Sequence, residues 1–206
     1  MTRHCKTGGV WIFVLSVLVA RVAMPATTYS DRTAFEIAVE GALGLESFDA
    51  EIADSSSIVF ASGVQSDGSN GLGDAINRVT GGLWETRIRT PAGVSGYLTI
   101  TWTLPNPTMA IGIDFSSISS SRGVEISADW DGSGPQTFVL WDQLGTSNGF
   151  FGVIGTSSFT EITLVANGTG DNDFFGADNV AFALPQGIFA DGFESGNLGS
   201  WSGTAP

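Results

Sequence analysis

The chain has 206 residues, 21 of them acidic against 8 basic, with a net charge of −13, one histidine and one cysteine. His4, Cys5 and the lone lysine, Lys6, all stand within the first ten positions. The remainder therefore cannot assemble the usual zinc, copper or iron ligand sets, a Ser-His-Asp or Cys-His nucleophile, a Schiff-base lysine or a disulfide, and its acidic surface repels phosphate, which excludes nucleic acid as a partner.

Arg3, His4 and Lys6 precede an almost purely apolar run, Val10 to Ala20. That run is far shorter than the roughly 20 residues needed to cross a bilayer. It reads as the core of a secretory signal spanning residues 1–26 and cleaved after Ala26; an uncleaved anchor held by Arg21 is the alternative. The exported chain keeps Arg32, Arg78, Arg87, Arg89 and Arg122 beside all 21 acids, a net charge of −16. It carries no membrane span. About 180 residues suit a single domain with a real core, here residues 27–186, followed by a tail over 187–206.

One short N-terminal helix is predicted, with Ser30 as its cap, Asp31 at its positive end and an apolar stripe of Ala34, Phe35, Ala38 and Val39. Gly41 and Gly44 end it. A strand is predicted at Ile58 to Ala61, and the polar, glycine-rich stretch from Gly63 to Gly82 reads as a long surface loop. Alternation then takes over. Trp84, Thr86 and Ile88 share one strand face; Leu98, Ile100, Trp102 and Leu104 form a second apolar row; Met109, Ile111, Ile113 and Phe115 a third; Val124, Ile126, Ala128 and Trp130 a fourth. Further strands are predicted at Thr137 to Trp141, Phe150 to Val153, Glu161 to Ala166 and Val180 to Leu184. Turns are signalled at Pro105-Asn106-Pro107, Asp131-Gly132-Ser133-Gly134, Asn148-Gly149 and Asn167-Gly168. Many short strands joined by glycine-rich turns predict an all-β fold, a two-sheet antiparallel sandwich or jelly roll.

Three stretches together resemble β-sandwich domains of exported bacterial proteins of the PEP-CTERM type. They are Ser30-Asp31-Arg32-Thr33-Ala34-Phe35 with Glu46-Ser47-Phe48-Asp49, then Phe150-Phe151-Gly152-Val153 with Phe159-Thr160-Glu161-Ile162-Thr163-Leu164, and last Phe174-Phe175-Gly176-Ala177-Asp178-Asn179-Val180-Ala181-Phe182. The ending, Asp191-Gly192-Phe193-Glu194-Ser195-Gly196 with Trp201 close behind, resembles a recurrent tail of exported proteobacterial proteins. The early Phe-acidic step paired with a late Asp-Asn step also resembles the MAM and carbohydrate-binding jelly rolls. That resemblance implies a structural calcium shared by Asp49 and Asp178, with Glu46 as a further ligand. Asp171 and Asp173 lie just upstream of Asp178 and add oxygen ligands of the kind calcium takes.

Two other acidic arrangements bear on function. Asp129 to Gly134 echoes the first half of a calcium loop, but the closing acid of such a loop falls on Leu140, and a hairpin turn explains the same residues. Glu125 and Asp129 share a strand face, as a glycosidase carboxylate pair can, yet Ser127 and Trp130 stand where one strand motif of that class needs acids. Sugar rings stack on exposed aromatic faces, and Trp141 and Trp201 are the candidates; Trp84 and Trp130 sit in apolar rows that belong to a core. The sequence thus points to a secreted or surface-associated, calcium-stabilised, non-enzymatic module binding a glycan or extracellular matrix. A carboxylate-dependent glycoside hydrolase or lyase, and a purely structural envelope or biofilm component, are the alternatives.

Overall fold

The computed structural model describes residues 26–39, 41–120, 123–166 and 172–184. The expected signal up to residue 25, the C-terminal tail with Trp201, Asp171 and the Asn167-Gly168 turn lie outside them. The fold is all-β, with eleven strands and two short helices. In chain order these are β1 (Thr27–Tyr29), α1 (Arg32–Ala38), β2 (Leu43–Glu46), β3 (Ser57–Val59), β4 (Gln65–Ser69), β5 (Ile76–Thr80), β6 (Leu83–Arg89), β7 (Thr99–Ser116), β8 (Val124–Ala128), β9 (Gln136–Val139), α2 (Leu140–Leu144), β10 (Gly149–Ala166) and β11 (Asn172–Ala183). Among the described residues no helix is long and apolar enough to cross a membrane.

The strands join in one antiparallel hydrogen-bonded network with the path β5-β6-β11-β7-β10-β8-β9. The separate sheets expected of a jelly roll are therefore linked here, because two strands of 18 residues, β7 and β10, run through both halves. The first part of β7 pairs with β4 and with the end of β10, Thr101 standing between Asp67 and Thr163. Its last part pairs with β11 and with the start of β10, Phe115 standing between Ala177 and Gly149. The two long strands lose register between Ile154 and Glu161, alongside Pro105 to Pro107. Proline offers no N–H to a ladder, and at this break none is required. The expected turn at Pro105-Asn106-Pro107 is thus a bend within one strand.

The alternating rows make the main core as predicted. Trp84, Trp102, Trp130, Ile88, Ile100, Ile111, Ile113 and Ile126 are all fully buried. Aromatic contacts run across it, Trp84 and Trp102 edge-to-face with ring centroids 4.7 Å apart, and Phe138 and Phe151 tilted at 5.7 Å. Met109, predicted to belong to an apolar row, is exposed, beside the bend where the ladder is broken.

A second, smaller core seats α1 on the outer side of the sheet. Phe35 and Val39 pack against Ala110, Phe150 and Ala181. Gly112 and Gly152 stand opposite each other on β7 and β10 beneath the Phe35 ring; a Cβ on either would come within 2.8 Å of that ring. The cap of α1 is Asp31, one residue later than expected: its carboxylate accepts the Ala34 N–H at 2.7 Å. Ala34 and Ala38 are exposed, so the docking stripe narrows to Phe35 and Val39.

Two expected segments take another form in the structure. The region from Gly63 to Gly82, expected as a loop, contains β4 and β5, whose inward positions include Ser66 and Asn77 beside Val79. The strand expected to run to Trp141 stops at Val139, and Leu140 begins the one-turn helix α2, which Gly145 closes in the left-handed conformation.

Candidate functional site

The metal-ligating residues expected from the sequence divide among separate places. β2 pairs with the last strand, β11, with Glu46 opposite Val180, whereas the first strand, β1, pairs with β10. The Glu46 and Val180 side chains both point into the core. Two residues earlier, β11 carries a bulge at Asp178 and Asn179, where Asn179 adopts φ 47° and the register shifts. The bulge turns Asp178 to the outer face, opposite Asp114 of β7. There Arg32 of α1 supplies the positive charge. Its guanidinium donates to Asp114 at 3.0 Å, to Glu36 at 3.3 Å and to the Asn179 carbonyl, and lies 4.7 Å over the Phe150 ring. Asn179 bridges the two acids, donating from its side-chain amide to Asp178 at 3.2 Å and Asp114 at 3.3 Å.

Glu46 is buried on the other side of the sheet and accepts the N–H groups of Phe48 at 2.8 Å and Ser62 at 2.9 Å. Asp49 is exposed and accepts the Ser47 hydroxyl at 2.7 Å. Glu46, Ser47 and Asp49 line a cavity of about 100 Å³ together with Phe48 and Phe60. Asp173 is buried in β11 opposite Ile88, and its carboxylate accepts the Ser119 N–H at 3.3 Å. Glu46 and Asp49 are thus the expected ligands that meet. Among the described residues no group of three or more His, Cys, Asp or Glu side chains is placed to hold a metal ion.

The Asp129 to Gly134 run is a hairpin loop joining β8 to β9. Asp129 accepts the Gly134 N–H at 3.0 Å. Asp131 accepts the N–H and hydroxyl of Ser133 at 2.9 and 2.6 Å, and the Gln136 side-chain amide. The Ser133 hydroxyl, followed by the Ser133 N–H, holds the Asp131 carboxyl below its ordinary range. Hydrogen bonds to an ionised carboxylate favour the charged form, and here they lock the turn. Trp141, half-buried in α2, packs against the main core.

A further concavity is one the sequence does not single out. On the outer face of the half-sheet formed by β4, the first part of β7, the end of β10, β8 and β9, hydroxyl and carboxyl side chains stand in register. Asp67, Thr101, Thr163, Ser127 and Thr137 form one row across five strands. Beside this row lies an open cleft of about 500 Å³, lined by Ser127, Asp129, Glu161 and Thr163, with Phe159, Pro107 and Pro135 as its main apolar surfaces. Ser127 stands opposite Thr163 at the last pair of that ladder, and Asp129 and Glu161 line the cleft just beyond it. Side chains directly opposite on antiparallel strands have Cβ atoms about 5 Å apart. The cleft therefore offers two carboxylates and a bank of hydroxyls, all able to accept hydrogen bonds, and the hydroxyls able also to donate.

Glu161 and Thr163 sit in a stretch whose strand character is legible in the sequence. The pairing that brings them to Ser127 and Asp129 is long-range and left no local signal. No protein-family model matches the chain, and no curated protein matches it either.

Proposed function

We propose that this chain is a secreted or surface-associated β module that binds a glycan, without transforming it, in the cleft between β8 and β10. The observation that carries this reading is the lining of that cleft. Ser127, Thr163, Asp129 and Glu161 present alternating hydroxyl and carboxyl groups around apolar surfaces from Phe159, Pro107 and Pro135. A sugar offers the complementary set, hydroxyls that donate and accept in turn and C–H faces that cover apolar surface. Trp141, packed on the core, is not needed for it.

A glycan array probed with the full exported chain tests the proposal, followed by calorimetry on the best oligosaccharide. Ser127→Trp fills the cleft from a half-buried strand position that faces it and is expected to weaken binding at least tenfold with little change in melting temperature; one lost hydrogen bond to a charged or polar partner is already worth about that factor. A blank array returns the chain to the structural alternative. Release of reducing ends from the bound glycan would move it to the hydrolase or lyase alternative, with Asp129 and Glu161 as the acid pair.

The calcium expectation narrows to the small cavity shared by Glu46 and Asp49, since Asp178 stands across the sheet with Arg32. Two carboxylates there leave the other ligand positions to backbone carbonyls and water. Calcium at 100 times its dissociation constant would stabilise the fold by about 2.7 kcal/mol, read as a chelator-sensitive melting temperature that Asp49→Asn abolishes. A melting temperature indifferent to chelator in fully stripped protein removes calcium from the reading.

A further inference from the structure

We infer that the cleft between β8 and β10 selects glycans built from amino sugars with a free ammonium group, and rejects acidic polysaccharides. This rests on the glycan-binding reading above and adds the charge of the ligand to it.

The first observation is the pair of carboxylates in the cleft. Asp129 uses one oxygen to accept the Gly134 N–H. The side chain of Glu161 is exposed and has neither a hydrogen bond nor an ion pair among the described residues. The second observation is where the positive charge goes. Arg32 is held by Asp114 and Glu36, Arg78 by Glu85 and Arg87 by Asp74, all on or beside α1, β5 and β6. Arg89 donates to the carbonyls of Thr90, Pro91 and Asn70. The chain has no lysine, arginine or histidine between Arg89 and Arg122, or anywhere after Arg122. The strands that build this face, β4, β7, β8, β9 and β10, therefore contribute no cation at all. Arg122, outside the described residues, precedes β8 in sequence.

The other charges on the face are of the same sign. Asp67 of β4 stands in the hydroxyl row, and Glu125 of β8 lies two residues before Ser127 on the same side. Asp131 sits in the turn beside the cleft. Like charges with no counter-ion among the described residues create a negative potential that is favourable for a cationic ligand and costly for an anionic one. An ammonium is also the geometric complement of the lining. Its three N–H donors find acceptors in Asp129, Glu161 and the hydroxyls of Ser127 and Thr163, and the neighbouring ring hydroxyls of the sugar use the same row. A uronate or sulfate in that position would face carboxylates with no arginine among the described residues to bridge them.

The test is calorimetry on the full exported chain with four probes: glucosamine hexamer, its fully N-acetylated counterpart, galacturonate hexamer and hexalysine. The glucosamine hexamer is expected to bind about tenfold more tightly than the acetylated one, and galacturonate not to bind. Raising salt from about 0.01 M to about 1 M shrinks the screening length from about 30 to about 3 Å and should erase the advantage of the amine. The double variant Asp129→Asn/Glu161→Gln, which keeps the oxygen that accepts the Gly134 N–H, should bind both sugar oligomers equally. Equal binding of the two oligomers by the unmodified chain overturns the charge inference and leaves the glycan reading standing. Binding of hexalysine as tight as that of the amino sugar overturns the inference in favour of a site that reads charge alone. Failure of every sugar oligomer to bind overturns the glycan reading itself.

Discussion

Asn77→Ala should lower folding stability by about 4 kcal/mol, a loss that urea melts would read as a drop in midpoint at unchanged slope. Asn77 is fully buried in β5 and organises the polar part of the main core. Its side-chain oxygen accepts the Trp84 indole N–H at 2.8 Å and the Ser66 hydroxyl at 3.0 Å, and its amide donates to the Ser66 carbonyl at 3.2 Å. Its backbone N–H donates to Asp54 at 2.7 Å. Alanine would leave the Trp84 and Ser66 donors without a partner where water cannot reach, at roughly 1–3 kcal/mol each, and open a void besides. The core already holds one such donor, the buried Trp102 indole N–H, on the residue that pairs with Ser66 across β4 and β7. Ser66→Ala is the control. It removes one donor and leaves Asn77 bonded to Trp84, so about 1 kcal/mol is expected. Equal losses in the two variants would show that Asn77 does not organise the network.

Gly155→Ala carries the second large effect, about 3 kcal/mol of stability together with loss of glycan binding. A Cβ at this buried position of β10 would fall 2.4 Å from the Trp130 carbonyl oxygen, a backbone atom that cannot swing away. That oxygen is also the anchor of the β10 irregularity, accepting the N–H groups of Thr156 at 2.8 Å and Ser157 at 3.2 Å. Trp130 itself is fixed from the other side. Its indole donates to the Gln136 carbonyl at 2.9 Å, its backbone N–H donates to the Gln136 side chain at 2.9 Å, and its ring lies edge-to-face on Phe159 at 4.8 Å. Pushing β10 away from Trp130 therefore moves Phe159 and Asp129, which line the cleft. Circular-dichroism melts and calorimetry, the latter well below the melting temperature, would separate the two consequences. Wild-type affinity in a folded Gly155→Ala protein would mean that the cleft does not depend on this clasp.

These two positions also mark how far the sequence could be read. Trp84, Trp102, Trp130 and the isoleucine rows announce strands because their inward residues are apolar and alternate with polar ones. β4 and β5 escape that test. Their inward positions include Ser66 and Asn77, whose burial is possible only because each satisfies the other and Trp84. A polar residue looks exposed until its partner is known, and the partner here lies on another strand. The long strands β7 and β10 were legible in pieces, since a proline pair and a glycine-containing break interrupt local pattern without interrupting the chain's path through the sheet.

The candidate ligands show the same division. The likeness to calcium-binding jelly rolls drew attention to Glu46, Asp49 and Asp178, and β2 does lie beside β11. One inserted residue at the Asp178-Asn179 bulge decides the rest. Side chains in a strand alternate faces, so a single extra residue sends Asp178 to the side opposite Glu46, where Arg32 meets it through Asn179 and Asp114.

Composition and local periodicity by themselves determined that this is an all-β chain with an aromatic core and, beyond Lys6, no lysine, histidine or cysteine, because those properties depend on which residues are present and on their spacing along one strand. Only the tertiary structure decided which hydroxyls and carboxylates share a surface. That choice rests on register between strands far apart in the chain, on Ser127 standing opposite Thr163 with Asp129 and Glu161 lining the same cleft, and no run of neighbouring residues encodes it.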